Sequence, residues 1–181
     1  MSEQMMVAGA EPVADAERGQ RGSVLRDVVV VLGAYLVIGV AAGVLWWLLF
    51  DPAMFTKVQG RGSMGELELG KRFNADGWYL VVGALAGLVS GVAVSAWRSR
   101  DLLLTTGLVV AGSALAAVVM AVVGYLLGPG DPDVALQAAR AGEQVPIQLT
   151  VTARTAYLVW PVATLVGALI VLWSPPDRRL R

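Results

Sequence analysis

The sequence predicts an all-α integral membrane protein: a four-helix bundle that crosses the membrane four times and carries a small extracytoplasmic cap of a short helix and short β strands. Two observations carry this prediction. Of the 181 residues, 56% are hydrophobic and only 15% are charged, whereas soluble domains carry about 25% charged residues. The apolar residues are also gathered into four runs, each long enough to cross a hydrocarbon core of about 30 Å as a helix.

These runs predict spans at 28–50, 77–97, 102–127 and 155–173, which together make a membrane domain of residues 28–174. The outer loops then cover 51–76 and 128–154. Residues 1–27 are polar and lack apolar periodicity, which predicts a disordered tail. The first run is too long for the apolar region of a signal peptide, so it is expected to remain as a span. Residues 175–181 form a short C-terminal tail.

Basic residues near the spans predict the orientation, because cytoplasmic loops carry an excess of lysine and arginine. One side of the predicted spans carries Arg26, Arg98, Arg100, Arg178, Arg179 and Arg181. The basic residues closest to the spans on the other side are Lys71, Arg72 and Arg154. We therefore expect a multi-pass protein of the cytoplasmic (inner) membrane with both termini in the cytoplasm.

A row of small residues marks one face of the second predicted span. Gly83, Gly87 and Gly91 recur every four residues, and Ser95 continues the row. Residues four apart share a helix face, so this face is a groove in which another helix backbone can lie close. Gly39 and Gly43 form a similar pair in the first span, and we expect that pair to pack against the row. A dimer contact is the alternative use of the row, but packing within a chain of four helices is favoured.

Tryptophan is expected to anchor both membrane interfaces, where its amphipathic ring is most stable. The predicted anchors are Trp46, Trp47, Trp78 and Trp160 at the outer interface and Trp97 and Trp173 at the inner interface.

The outer loops carry signals of local structure. Residues 66–69 alternate glutamate and leucine, and residues 146–152 alternate apolar and polar side chains, so we predict two strands that pair in the cap. Asp76 is placed to cap the second span. Asp131 and Pro132 predict the start of a short helix reaching about residue 140, ended by Gly142. Pro161 is expected to kink the fourth span or to mark where its regular hydrogen bonding begins.

Composition excludes several chemistries. The chain has no cysteine and no histidine, which removes thiolate chemistry, disulfides and the commonest general base and metal ligand. Its net charge of zero argues against a basic nucleic-acid surface. We therefore assign no catalytic residue, no cofactor and no metal ligand.

Two sets of polar residues have an alternative reading. Asp51, Asp76 and Asp131 each lie near the outer end of a span and could together bind Ca²⁺ or Mg²⁺, although capping and turn roles are favoured. The spans contain no charged side chain, and we expect their hydroxyls to bond mainly to their own helix or a neighbour rather than to line a pathway. These hydroxyls belong to Tyr35, Ser90, Ser95, Thr105, Thr106, Ser113 and Thr164.

Several short segments resemble a family of small four-span actinobacterial membrane proteins that is defined as a domain of unknown function. The matching segments are 46–52, 73–78 (Phe-Asn-Ala-Asp-Gly-Trp), 97–100, 127–131, 142–146 and 157–161 (Tyr-Leu-Val-Trp-Pro). The resemblance covers about residues 28–173 and leaves out the N-terminal tail. It implies an actinobacterial inner membrane and provides no catalytic signature.

These observations favour a non-catalytic accessory or scaffold protein of the cell envelope. Besides the lipid bilayer, its expected partner is another membrane or envelope protein, or a second copy of the chain. One alternative is an oligomeric passive channel or lipid-handling transporter lined by the span hydroxyls. The other is a membrane enzyme, which requires at least two outer carboxylates to converge in a pocket. The candidates for that role are Asp51, Glu66, Glu68, Asp76 and Asp131.

Overall fold

A computed structural model describes the backbone of residues 11–58, 61–97 and 102–174, with side chains from residue 24 onward except that of residue 102. Four helices in this part of the chain are long and apolar enough to cross a membrane. In chain order the elements are α1 (Glu11–Leu49), β1 (Met54–Val58), β2 (Arg61–Ser63), α2 (Glu66–Trp97), α3 (Leu102–Leu127), α4 (Pro132–Ala138), β3 (Gln144–Pro146), a 3-10 helix (Arg154–Leu158) and α5 (Val159–Trp173).

The first helix begins earlier than the sequence indicated. Residues 11–27 were expected in a disordered tail, but α1 starts at Glu11 and runs without a break to Leu49. The segment is rich in alanine, glutamate and arginine, which favour helix, and Pro12 lies in the first turn, where proline is tolerated. An apolar helix directly downstream also removes the cost of nucleation. The remaining predicted tails, 1–10 and 175–181, and the turn at 98–101 lie outside the described residues.

The second helix also begins earlier, and this overturns two predictions. Residues 66–69 form its first turn rather than a strand, and Asp76 lies inside the helix rather than at its N-cap. Leucine and glutamate are strong helix formers, and a four-residue alternation is too short to outweigh the helix that follows. With 32 residues, α2 is about 48 Å long, so its first turns extend beyond its apolar part.

The cap contains a three-stranded antiparallel sheet with strand order β2-β1-β3. β1 and β2 form a hairpin with Thr56 opposite Ser63, and β3 pairs along the other edge of β1 with Phe55 opposite Val145. The predicted contact between the two outer loops therefore exists, but β1 takes the place assigned to 66–69. The strand predicted at 146–152 is displaced to Gln144–Pro146, and the residues that follow, up to 153, form neither helix nor strand.

The short helix α4 confirms the predicted N-cap. The Asp131 carboxylate accepts a hydrogen bond from the backbone N–H of Asp133, and Pro132 occupies the first turn. The helix ends at Ala138, and the Lys57 ammonium donates to the carbonyl of Ala139 at 2.8 Å, a favourable position for a cation. Gly142 follows in a turn with φ +84°, a left-handed conformation that glycine adopts without strain.

The fourth predicted span consists of two parts. Arg154–Leu158 is a 3-10 helix, and regular α-helix begins at Val159. Pro161 therefore lies in the first turn of α5, where its missing N–H costs little. This confirms that the proline marks the start of regular hydrogen bonding, whereas α3 begins and ends as the sequence predicted.

The long helices pack as two close pairs, α1 with α3 and α2 with α5. The members of each pair run in the same direction, since α1 and α3 end at the cap whereas α2 and α5 begin there. In the α2–α5 pair, a Cβ on Gly87 would lie 2.8 Å from the Trp160 carbonyl oxygen, and one on Gly91 would meet the Thr164 backbone. Such a separation leaves no room for a side chain, so Gly87 and Gly91 form a backbone contact within the chain.

The first-span glycines pack against a different partner from the one predicted. A Cβ on Gly39 would lie 2.9 Å from the Ala116 carbonyl oxygen, and one on Gly43 would lie 2.7 Å from Val123 Cβ. Both contacts are with α3 rather than with the α2 row. The α2 groove is filled instead by α5, whose own Gly167 faces the α2 backbone. Gly83 makes only an ordinary contact with Trp160, and Ser95 is half-buried.

Candidate functional site

Three aromatic side chains, which we call the aromatic junction, connect the two helix pairs just below the cap: Trp46, Tyr79 and Tyr157. The Trp46 and Tyr79 rings meet edge to face with centroids 5.1 Å apart, and Tyr157 continues the contact at 5.8 Å. The Trp46 indole N–H donates to the Ala75 carbonyl at 2.8 Å. All three rings therefore contribute packing, and the indole N–H of Trp46 is also hydrogen-bonded.

Tyr79 makes a second polar connection between the pairs. Its hydroxyl donates to the Ala117 carbonyl of α3 at 2.8 Å. Trp46 of α1 lies against Gly124 of α3. Because glycine has no side chain, there is room for the indole at this position. The junction thus fixes α1, α2 and α3 relative to one another at the base of the cap.

The prediction of interface anchors is wrong for two of the six tryptophans. Trp46 and Trp160 are 0% and 1% exposed and belong to the core. Glycines on the facing helix accommodate both rings, Gly124 for Trp46 and Gly83 for Trp160. Trp47 and Trp78 are partly exposed, and Trp97 and Trp173 are strongly exposed, so an interfacial role for these four stays a prediction.

The cap is attached to the bundle by a few specific contacts. Leu149 and Ala53 are buried beneath it, and the Ile147 N–H donates to the Ala53 carbonyl at 2.8 Å. Asp76 accepts a hydrogen bond from the Thr152 N–H at 2.9 Å. The first of these bonds continues the pairing of β1 with β3 by one residue, and the second ties the segment to α2.

The outer carboxylates act as connections within the cap. Asp51 and Glu68 lie 3.3 Å and 3.6 Å from the Lys71 ammonium, and Glu68 also accepts from the Met54 N–H. Asp131 is occupied as the N-cap of α4. Within the described ranges, no three acidic residues come together in a way that could hold a metal ion. Asp51 and Glu68 do approach each other, but both lie beside the Lys71 ammonium, whose single charge offsets one of their two.

The span hydroxyls bind mainly to their own helices. Ser90 donates to the Gly87 carbonyl, Ser113 to Val110 and Thr164 to Trp160, at 3.0, 2.9 and 2.8 Å. All three are buried. Bonds of this kind satisfy the hydroxyl within one helix, which agrees with the structural role expected for them.

Tyr35 is the exception among the buried hydroxyls. Its oxygen faces the hydroxyls of Ser90 and Thr164, yet neither they nor any other described group lies in hydrogen-bonding geometry with it. Both neighbours already donate their protons to backbone carbonyls. Since geometry rather than proximity defines a hydrogen bond, we treat the Tyr35 hydroxyl as unpaired.

A small recess opens where the cap meets the bundle. It is lined by Phe50, Ala53, Arg72, Ala75, Ile147, Gln148 and Thr150, and its volume is about 10 Å³. Arg72, Gln148 and Thr150 supply hydrogen-bond donors to an otherwise apolar wall. The sequence placed Arg72 at the outer end of a span but gave no signal that residues 147–150 would lie beside it.

Comparison of the chain with protein-family models, with curated proteins and with solved structures found no match. The resemblance to four-span actinobacterial proteins therefore stays a prediction.

Proposed function

We propose that the protein is a non-catalytic scaffold of the inner membrane in an actinobacterial cell envelope, with its cap on the outer side and both termini in the cytoplasm. The cap presents a fixed surface to a second envelope protein. The excess of arginine on the opposite side supports this orientation.

The observation that carries this proposal is an uncovered apolar face on the outer turns of α2. Leu69 and Phe73 lie one helical turn apart and share a face, and Phe73 is 71% exposed. Leu67, in the same turns, is 86% exposed. These residues precede the apolar part of the helix, at a level where side chains in contact with water are normally polar.

The contacts beneath this face support a scaffold rather than an enzyme. On the same turns, Glu68 accepts a hydrogen bond from the Met54 N–H, and Lys71 forms an ion pair with Asp51. Asp76 accepts a hydrogen bond from the Thr152 N–H. Three of the five carboxylates that an enzyme could use, Asp51, Glu68 and Asp76, are thus engaged in attaching the cap. A rigid support favours binding, because less conformational entropy is lost when a partner docks.

A photoreactive amino acid at position 73 of the full-length protein tests the proposal in native membranes. We expect it to cross-link to one protein in defined stoichiometry, while the same group at Val118, an exposed position on α3, cross-links only to lipid. The double variant Leu69→Ser/Phe73→Ser should lose that partner on purification while its melting temperature stays unchanged. The proposal fails if position 73 captures only lipid, or if the double variant keeps the partner.

A further inference from the structure

We propose that the recess beneath the cap binds the phosphate group of an anionic phospholipid from the adjacent leaflet. The site is formed by Arg72 of α2 together with Gln148 and Thr150 of the extended segment after β3. This inference is independent of the scaffold role, because it concerns a lipid at the base of the cap rather than a protein on the exposed apolar face of α2.

Arg72 supplies the positive charge of the recess. Its neighbour Lys71 has two carboxylates, Asp51 and Glu68, within 4 Å. Among the described residues, no carboxylate forms such an ion pair with Arg72. Asp76, one turn further along, accepts the Thr152 N–H. The planar donors of the guanidinium are therefore not taken up by a carboxylate of the described residues, and this group is the one best suited to bind phosphate in two-point geometry.

The recess is small. Its volume of about 10 Å³ corresponds to roughly one water molecule, which is room for a single phosphate oxygen. Gln148 and Thr150 line the same recess, and their side chains carry neutral donors. A phosphate at the mouth would thus place one oxygen inside and leave another facing Arg72.

The depth of the recess identifies the ligand as a lipid. Phe50 directly follows α1, and Ala75 lies two residues before the apolar part of α2. The recess is therefore at the end of the hydrocarbon region, where headgroups lie. The wall of the recess includes the apolar side chains of Phe50, Ala75 and Ile147. The apolar part of a lipid would contact this wall, whereas free phosphate from the water phase would gain nothing from it.

Native mass spectrometry of the full-length protein in mild detergent tests the site by titration with phosphatidylglycerol. We expect one tightly bound lipid, with affinity lowered about tenfold or more by Arg72→Gln, since a charge-assisted contact is lost. Arg72→Lys should recover only part of the affinity, because an ammonium lacks the planar fork. Arg61→Gln removes an equal charge from exposed strand β2 and should leave binding unchanged.

Two further titrations identify the source of the phosphate group. Phosphatidylcholine, whose headgroup is neutral overall, and inorganic phosphate should each compete weakly. Equal affinity of the wild type and Arg72→Gln for phosphatidylglycerol would overturn the site, as would an equal loss in Arg61→Gln. Full competition by inorganic phosphate would overturn the assignment to a lipid. Melting temperatures without lipid confirm that each variant is folded, and Thr150→Val supplies a second test if Arg72→Gln does not fold.

Discussion

The interfaces within the two helix pairs differ from the interface between the pairs. Within a pair, backbone meets backbone, as where Gly91 faces Thr164 or Gly39 faces Ala116. Between the pairs, aromatic side chains reach across and end in a polar contact, as Trp46 does at the Ala75 carbonyl and Tyr79 at the Ala117 carbonyl.

This difference has a physical cause. In lipid, burying apolar surface gives little gain, so helices associate through close packing and interhelical hydrogen bonds. Glycine provides the first of these, and Trp46 and Tyr79 provide the second. We infer that the glycine contacts determine which helices pair, whereas the aromatic junction determines how the pairs are aligned beneath the cap.

The largest effect should come from placing a side chain inside a pair. Gly91→Leu would drive a leucine into the Thr164 backbone, which cannot yield as a side chain can, so we expect a loss of more than about 4 kcal/mol of unfolding free energy. Gly77→Leu lies on the same helix with open space around it and is the control. Unfolding by SDS in mixed micelles measures both, and equal stability of the two variants would refute backbone contact.

Truncating the aromatic junction should cost less. Trp46→Ala leaves a cavity beside Gly124 and removes the hydrogen bond to the Ala75 carbonyl, so we expect a loss of about 3 kcal/mol. Trp47→Ala, a partly exposed neighbour on the same helix, should change stability far less. If Trp47→Ala were the more damaging of the two, the junction would not connect the pairs.

Two buried tyrosines should respond differently to loss of the hydroxyl. Tyr79→Phe removes the hydrogen bond to the Ala117 carbonyl and should cost about 1 kcal/mol. Tyr35→Phe removes a buried hydroxyl without a partner in hydrogen-bonding geometry and should be neutral or stabilising, because an unsatisfied group is desolvated without compensation. Thermal unfolding in detergent compares the two. A greater loss for Tyr35→Phe would mean that its hydroxyl is paired with Ser90 or Thr164.

The smallest loss of stability should be at the attachment of the cap. Asp76→Ala removes the acceptor of the Thr152 N–H and should cost about 0.5 kcal/mol. Asp76→Asn keeps an oxygen at the same position and should be close to wild type. Amide hydrogen exchange at Thr152 reports the change directly. Equal exchange in the alanine variant and the wild type would show that Asp76 does not hold the cap.

The bundle was more predictable from sequence than the cap. A membrane span requires a long apolar run, and the bounds of α3 coincide with those of such a run. The glycine row likewise indicated a close helix contact on α2. Sequence periodicity indicates which face of a helix makes a contact, but not which helix it contacts. The row was therefore predicted to pack against Gly39 and Gly43, although α5 packs there.

The cap shows where local patterns fail. Residues 66–69 alternate as a strand would, yet continuity with α2 makes them helical. Trp46 and Trp160 lie near the ends of predicted spans, as interface anchors do. They are buried because glycines on a facing helix, distant in the sequence, make room for their rings. The recess at Arg72 depends on a segment about 75 residues further along the chain, a juxtaposition that no short sequence pattern encodes.

Disulfide cross-linking tests the proposed helix pairing most directly, because the chain has no cysteine of its own. The Cβ positions of Gly87 and Ala163, and those of Gly39 and Val119, lie 3.1 Å apart, close to the separation that a disulfide spans. We predict that oxidation links Gly87→Cys/Ala163→Cys and Gly39→Cys/Val119→Cys within one chain, as detected by mass spectrometry of the linked peptides. Efficient linking of Gly39→Cys to Gly87→Cys instead, or dimers formed by Gly87→Cys alone, would contradict the account.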